Sequence, residues 1–388
     1  MTKLYLLPSI LFFLLGAAHL CVAQQKVLSN KKATDEAQNL YLNMDRLMQK
    51  GVMFGHQDDL AYGVKWKYES GRSDVKDVVN DYPAVFGWDI AGLESDRDKN
   101  IDGVPFSKMK AYIKWVYDNG GINTISWHMQ NPLTKGSAWD TTRTVSAILP
   151  GGAQHGLYRS WLDKAAVFLD HLKGSDGKSI PILFRPFHEL NGFWFWWGGR
   201  HATKQEYIRL WQFTVAYLRD EKKLHHLIYV YNTNSFATRE EFMEKYPGDE
   251  FTDMMSFDSY CFAASNASEE QIKQASAKFN KSLKHNLEIL RTEAKRHNKI
   301  PALAETGFEG IPDKSWWTNT LLDALKQYPV SYVLLWRNHG WQKSTQRDHY
   351  YAPYKGQVSA DDFKIFYKNK ATLFKNEIAK ESMYQLTK

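Results

Sequence analysis

Short, almost unbroken apolar runs recur along the chain, separated by amphipathic stretches. The runs occupy residues 52–54, 84–90, 122–128, 180–187, 227–231, 254–260, 300–304 and 330–336. A run of this kind fits a parallel strand buried on both faces, whereas an antiparallel strand with one wet face alternates. Between the runs, Phe106, Met109, Ile113 and Val116 repeat at spacings of three and four, and Asn119-Gly120-Gly121 forms a stop, the pattern of a helix. Thr203 with Glu206 forms a capping box ahead of Tyr207, Leu210, Trp211, Thr214, Val215 and Leu218. Further helices are expected over 73–81, 158–172, 239–246, 269–297, 315–327 and 361–379.

Eight strand–helix units predict an α/β protein built as a closed (β/α)8 TIM barrel. An open doubly wound sheet is the rival, but no G-x-G-x-x-G turn follows the first run. No Pro/Gly/Ser-rich linker divides the chain, so residues 24–388 are expected to form one catalytic domain, with 24–50 a short leader packed against it.

The first 23 residues follow a different pattern. Lys3 precedes an apolar run through Leu20, then Cys21-Val22-Ala23 and the polar Gln24-Gln25-Lys26, which is the layout of a secretory signal peptide cleaved after Ala23. Export to a periplasm or the medium is expected. The alternative is lipidation of Cys21, although Leu20 stands where such a signal wants a small residue. No other stretch approaches the roughly 18 apolar residues of a membrane span.

With 43% hydrophobic and 24% charged residues, disordered and collagen-like classes are excluded. The net charge of +7 is scattered, with no basic arm or recognition motif, so no nucleic-acid partner is expected. The two cysteines, Cys21 and Cys261, make no disulfide framework. Trp, Tyr and Phe number 14, 21 and 21, enough to serve as stacking surfaces for a flat ligand as well as core filler.

Candidate chemistry gathers where the apolar runs stop. Their ends read Gly55-His56-Gln57, Trp88-Asp89, Trp127-His128, His188-Glu189, Asn232-Thr233-Asn234, Asp258-Ser259-Tyr260, Glu305-Thr306 and Trp336-Arg337-Asn338. In such barrels the C-terminal strand ends form the active face, so these residues predict one polar pocket. Glu189 and Glu305, from the fourth and seventh strands, suit retaining glycoside hydrolysis, in which carboxyls about 5–5.5 Å apart act as acid/base and nucleophile. Pairing with Arg185 would keep Glu305 ionised, and His188 with aromatic neighbours would keep Glu189 protonated, which makes Glu189 the acid/base and Glu305 the nucleophile. The loop Leu190 to Gly199 reads as presenting Trp194, Trp196 and Trp197 to a sugar, while Trp127, His128, Trp336 and Arg337 add faces and donors. For His56 and Asp89 a structural role at the barrel end stands beside a functional one. The scheme calls on no metal and no cofactor.

The motifs RPFHELNGFWFWWGG, ALAETG, SWHMQNP, FDSYCF and VLLWRNHG resemble those of glycoside hydrolase family 26, the β-mannanases, over nearly all of the mature chain. The resemblance implies a (β/α)8 barrel, β-1,4-mannan or its oligosaccharides as substrate, Glu189 as acid/base, Glu305 as nucleophile and Tyr260 as the hydroxyl that orients it. It further implies His188, Trp194 and Trp336 as substrate contacts, with His128 and Arg337 on the non-reducing side of the cleaved bond. β-1,3-Xylan or mixed-linkage glucan activity, and release of mannobiose if the segments 93–105 and 132–155 wall off one end of the cleft, stay open. So do a metal-dependent hydrolase on His56, His128, His188 and Asp258, and a non-catalytic sugar-binding protein. A monomer is expected. Mass spectrometry of protein exported by its host should find Gln24 as the first residue; a diacylated Cys21 would overturn the cleavage assignment.

Overall fold

The computed structural model of the protein describes residues 26–342 and 346–386; the expected signal peptide and Cys21 lie outside them. Eight strands are present where the apolar runs lie: β1 (Val52–Gln57), β2 (Val85–Asp89), β3 (Ile122–Trp127), β4 (Ile182–Pro186), β5 (Leu227–Asn234), β6 (Met254–Cys261), β7 (Ile300–Phe308) and β8 (Tyr332–Leu335). Each pairs in parallel with the next, and β8 pairs back onto β1 through Met53–Tyr332 to His56–Leu335, closing the barrel. Burial on both faces explains the unbroken apolar runs: one face meets the barrel interior, the other the ring of helices.

The capping box at Thr203 starts the helix Lys204–Ala216 as expected. The helix Phe106–Asp118 stops at Asn119, with Gly120 at φ +75° supplying the left-handed turn. Two expectations are corrected. The segment 361–379 is not one helix but Ala360–Tyr367, a short strand Thr372–Leu373 paired with the start of β1, and Lys375–Ile378. The break lets Phe374 stack on Phe54 with ring centroids 5.0 Å apart, which buries both rings; a continuous helix could not place Phe374 there. In 315–327 the first part, Trp316–Leu322, is wound as a wider π-helix before Asp323–Gln327.

The leader contains a helix, Asp35–Met48, which the reading of the sequence left unassigned. Its Ala37, Leu40, Tyr41, Met44 and Leu47 pack with Met53, Ile122, Leu183, Met254 and Ile300 at the N-terminal ends of the strands. The Tyr41 hydroxyl donates to the Asp253 carbonyl at 2.8 Å. This helix is therefore the floor of the barrel, and the opposite mouth is left for the site. Among the described residues no helix is long and apolar enough to cross a membrane. Leu40 is fully buried in that floor, so Leu40→Ala should lower the unfolding free energy by about 2–5 kcal/mol in urea titration. A loss below about 0.5 kcal/mol would mean that the helix is not part of the folded core.

Candidate active site

Glu189 stands three residues beyond the end of β4. Pro186 ends the strand, and Phe187 and Glu189 both adopt φ +53°, a left-handed conformation that strains any residue but glycine. The surrounding structure holds the strain in place: the Tyr207 hydroxyl donates to the Phe187 carbonyl at 3.1 Å and the Trp197 indole N–H to the His188 carbonyl at 2.8 Å. The loop then folds back so that the Trp194 indole donates to Glu189 Oε2 at 2.6 Å. Only Trp194 of the loop's indoles faces the cleft. Trp196 and Trp197 are fully buried, Trp196 donating to the Met129 carbonyl at 3.0 Å, so the expectation that they face a sugar is corrected: with Phe187 they form the packed underside that supports the loop, while Phe195, stacked on Trp197, lines the cleft.

Glu305 is aimed by a bulge. Phe257 pairs with Leu303 and Asp258 with Glu305, so Ala304 is an extra residue in β7; the β8 side shows the same slip, Val333 with Leu303 and Leu335 with Thr306. A bulge turns the following side chain relative to the regular alternation. Glu305 Oε1 accepts from Arg185 Nη2 at 2.6 Å and Oε2 from the Tyr260 hydroxyl at 2.8 Å. Arg185 is itself buried, and its Nη1 reaches Asn232 Oδ1 at 3.0 Å and Asp258 Oδ2 at 3.5 Å. The expected Arg185–Glu305 pair is present, and Tyr260 lies where the resemblance implied.

The two glutamates line one cleft together with His128, His188, Trp194 and Trp336. Burial, and next the charge of Glu305, push the Glu189 carboxyl up to about 7, against the Trp194 N–H and the charges of His128 and Arg185. Burial among its neighbours is thus part of the expected cause, but His188 contributes no charge, being held well below its usual value by burial, His128 and Arg185. Burial and Glu305 also push Asp258 well above the usual carboxylate range, Arg185 opposing.

Three candidate contacts are placed otherwise than expected. Trp127 is buried and donates to Glu94 Oε2 at 3.1 Å, away from the cleft, because it points to the opposite face of β3 from Ser126 and His128. His128 lines the cleft, but Nδ1 is taken by Asp89 at 2.8 Å and Nε2 by His188 at 3.2 Å, so neither ring nitrogen is left for a sugar hydroxyl. Arg337 stands behind Trp336, its Nε 2.9 Å from Asp102 Oδ1, and is not among the cleft-lining side chains. His56 is structural, paired with Asp59 at 2.6 Å. The cleft also uses Trp139, Phe262, His349 and Tyr351, which the sequence reading passed over. Phe262 was findable: it stands one residue past β6, continuing the alternation of Asp258 and Tyr260. Trp139, stacked on His128 at 5.3 Å and 19°, comes from a loop with no such signal. Among the described residues no group of three or more His, Cys, Asp or Glu side chains is arranged to hold a metal ion.

The raised Glu189 carboxyl has a stability consequence. In the folded state it titrates near 7, against about 4.3 in an unfolded chain. Between those values the native state binds more protons, so its stability falls as pH rises, and the penalty, up to about 4 kcal/mol, is complete above pH 7. Glu189→Gln removes the titration while keeping an acceptor for Trp194. Calorimetry should find this variant melting above the parent at pH 8 and close to it at pH 4; an equal difference at both pH values would contradict the assignment.

The profile described as Glycosyl hydrolase family 26 matches residues 29–336. The structure of a GH26 β-mannanase from Bacteroides ovatus superimposes with a TM-score of 0.83 at 41% identity, over 91% of this chain and 98% of that one. A modular endo-β-1,4-mannanase from Cellulomonas fimi gives 0.79 at 32% identity, over 91% and 78%. A mannan endo-1,4-β-mannosidase from Bifidobacterium adolescentis is 33% identical over 362 residues, 87% of this chain but 34% of that protein. The chain spans between a third and about half the length of the first curated relatives it matches. With the profile running from the barrel's floor helix to the end of β8, and whole-barrel likeness at up to 41% identity, the chain belongs to glycosyl hydrolase family 26.

Proposed function

We propose that the protein is a retaining endo-β-1,4-mannanase, acting on mannan, galactomannan or glucomannan and their oligosaccharides. The observation that carries this reading is the division of labour between two carboxyls in one cleft: Glu305 accepts hydrogen bonds on both oxygens, while Glu189 is protonated up to about pH 7. Glu305 attacks the anomeric carbon, and the bond to the leaving sugar oxygen breaks as Glu189 gives that oxygen its proton. Glu189, now ionised, takes a proton from water, whose oxygen displaces Glu305 and restores both groups. Tyr260 and Arg185 keep the attacking carboxylate in one orientation. Trp194 and Trp336 serve as sugar platforms, with His188 beside the acid, and Trp139 and Phe262 extend the aromatic surface.

The choice of mannan is supported by relatives named as mannan endo-1,4-β-mannosidases. The amino-terminal pattern supports export, with the enzyme working in a periplasm or outside the cell. A mannobiose-releasing mode is the second reading, favoured by a recess beside His128 that Gly92 and Arg97 share with Gln130 and Lys135, so that the loops after β2 and β3 flank one end of the cleft. Purified protein should release reducing sugar from galactomannan and glucomannan and little from β-1,3-xylan or mixed-linkage glucan, with long oligomers appearing first. Glu189→Ala should lose about 10²–10⁴ of the rate, and Glu305→Ala nearly all of it. Unchanged release by Glu305→Ala would end the enzyme reading, and xylose oligomers as the main product would end the choice of mannan.

A further inference from the structure

Two cleft-lining histidines and one aspartate behind them form a hydrogen-bonded chain. Asp89, fully buried at the end of β2, accepts from the Ala91 N–H at 2.8 Å, the Ser126 hydroxyl at 2.8 Å, the His128 N–H at 3.1 Å and His128 Nδ1 at 2.8 Å. A carboxylate with only donors around it is ionised, and Nδ1 of His128 must therefore carry its hydrogen. The other nitrogen of His128 lies 3.2 Å from His188 Nε2, so a single hydrogen sits between the two rings. Either His128 is neutral and accepts it, or His128 is an imidazolium and donates it.

The surroundings decide for the imidazolium. Burial works against a charge on His128, but Asp89, with Glu305 and Asp102 behind it, raises its pKa above the usual value. Burial, His128 and Arg185 hold His188 neutral. The Trp139 indole lies nearly parallel to the His128 ring at 5.3 Å, a favourable face for a cation. His188 then accepts on Nε2 and keeps its hydrogen on Nδ1, an atom with no partner among the described residues.

We propose that Asp89 is a positioning residue for catalysis: through its hydrogen bond to His128 it fixes the ring and tautomer of His188 beside the acid/base Glu189, with His128 as the charged link. The proposal rests on the acid/base reading of Glu189. The charge has a use that changes during turnover. In the free enzyme burial and, next, the charge of Glu305 keep Glu189 protonated. Once Glu305 is esterified by the sugar that anion is gone, while His128 remains and draws Glu189 toward the ionised form that must accept a proton from water.

The test combines spectroscopy with kinetics. With histidine ring nitrogens labelled by 15N, the full-length mature protein should show, at pH 8, a doubly protonated ring whose signal is lost in both Asp89→Asn and His128→Gln. Ser126→Ala, which removes one of the four donors to Asp89, should keep the signal. On the best glycan substrate Asp89→Asn and His128→Gln should each lower kcat roughly tenfold, with KM changed less, and the double variant should lower it no further. A neutral His128 at pH 8, or losses that multiply in the double variant, would overturn the relay. If the parent cleaves no glycan, the proposed function fails, but the ring signal still decides the relay.

Discussion

A guanidinium enclosed in a protein interior needs acceptors close by, and in this barrel Arg185 draws its own from three neighbouring strands. It projects from β4 and is answered by Asn232 of β5, Asp258 of β6 and Glu305 of β7. Removing one partner from such a cluster leaves an uncompensated charge in a poorly solvated place, which costs far more than the intact cluster contributes. The strands can therefore slide or rotate relative to one another only by breaking the cluster. The bulge at Ala304 belongs to this constraint, since it turns Glu305 onto Arg185.

The same cluster separates two chemically identical side chains. Glu305 sits between a cation and a hydroxyl, whereas Glu189 has one indole donor and a neighbouring anion. Burial and the charge of Glu305 send Glu189 toward the acid, while Glu305 keeps a donor on each oxygen. The positive backbone angles at Phe187 and Glu189 show that the acid side is held in place by its neighbours rather than by its own preference.

Much of this was legible in the chain. The two-faced burial of parallel strands leaves unbroken apolar runs, so all eight strands and their polar ends could be located, and the need of a strand-end glutamate for a partner pointed to Arg185. What was not legible depends on direction. Trp127 and His128 are adjacent, but successive strand residues face opposite ways; placing His128 at the mouth already sends Trp127 outward, to Glu94. Trp196 and Trp197 fell to the same problem in a loop, where no periodicity says which rings turn under. The bulge in β7 carries no glycine or proline to announce it. The floor helix went unassigned because its apolar face matters only against a closed ring of strand beginnings, which exists only once the barrel has formed.

That floor also gathers the two ends of the described chain. Lys26 reaches the Lys299 carbonyl and Ser29 reaches Asp253, both where strands begin. From the other end, Glu381 pairs with Arg46 at 2.7 Å and the Met383 carbonyl accepts from Asn43 at 3.0 Å on the floor helix. Both ends thus lie at the barrel pole away from the catalytic cleft. A linker fused at either one would fasten the protein to a bead, a scaffold or a cell wall with its cleft turned outward, away from the surface that carries it.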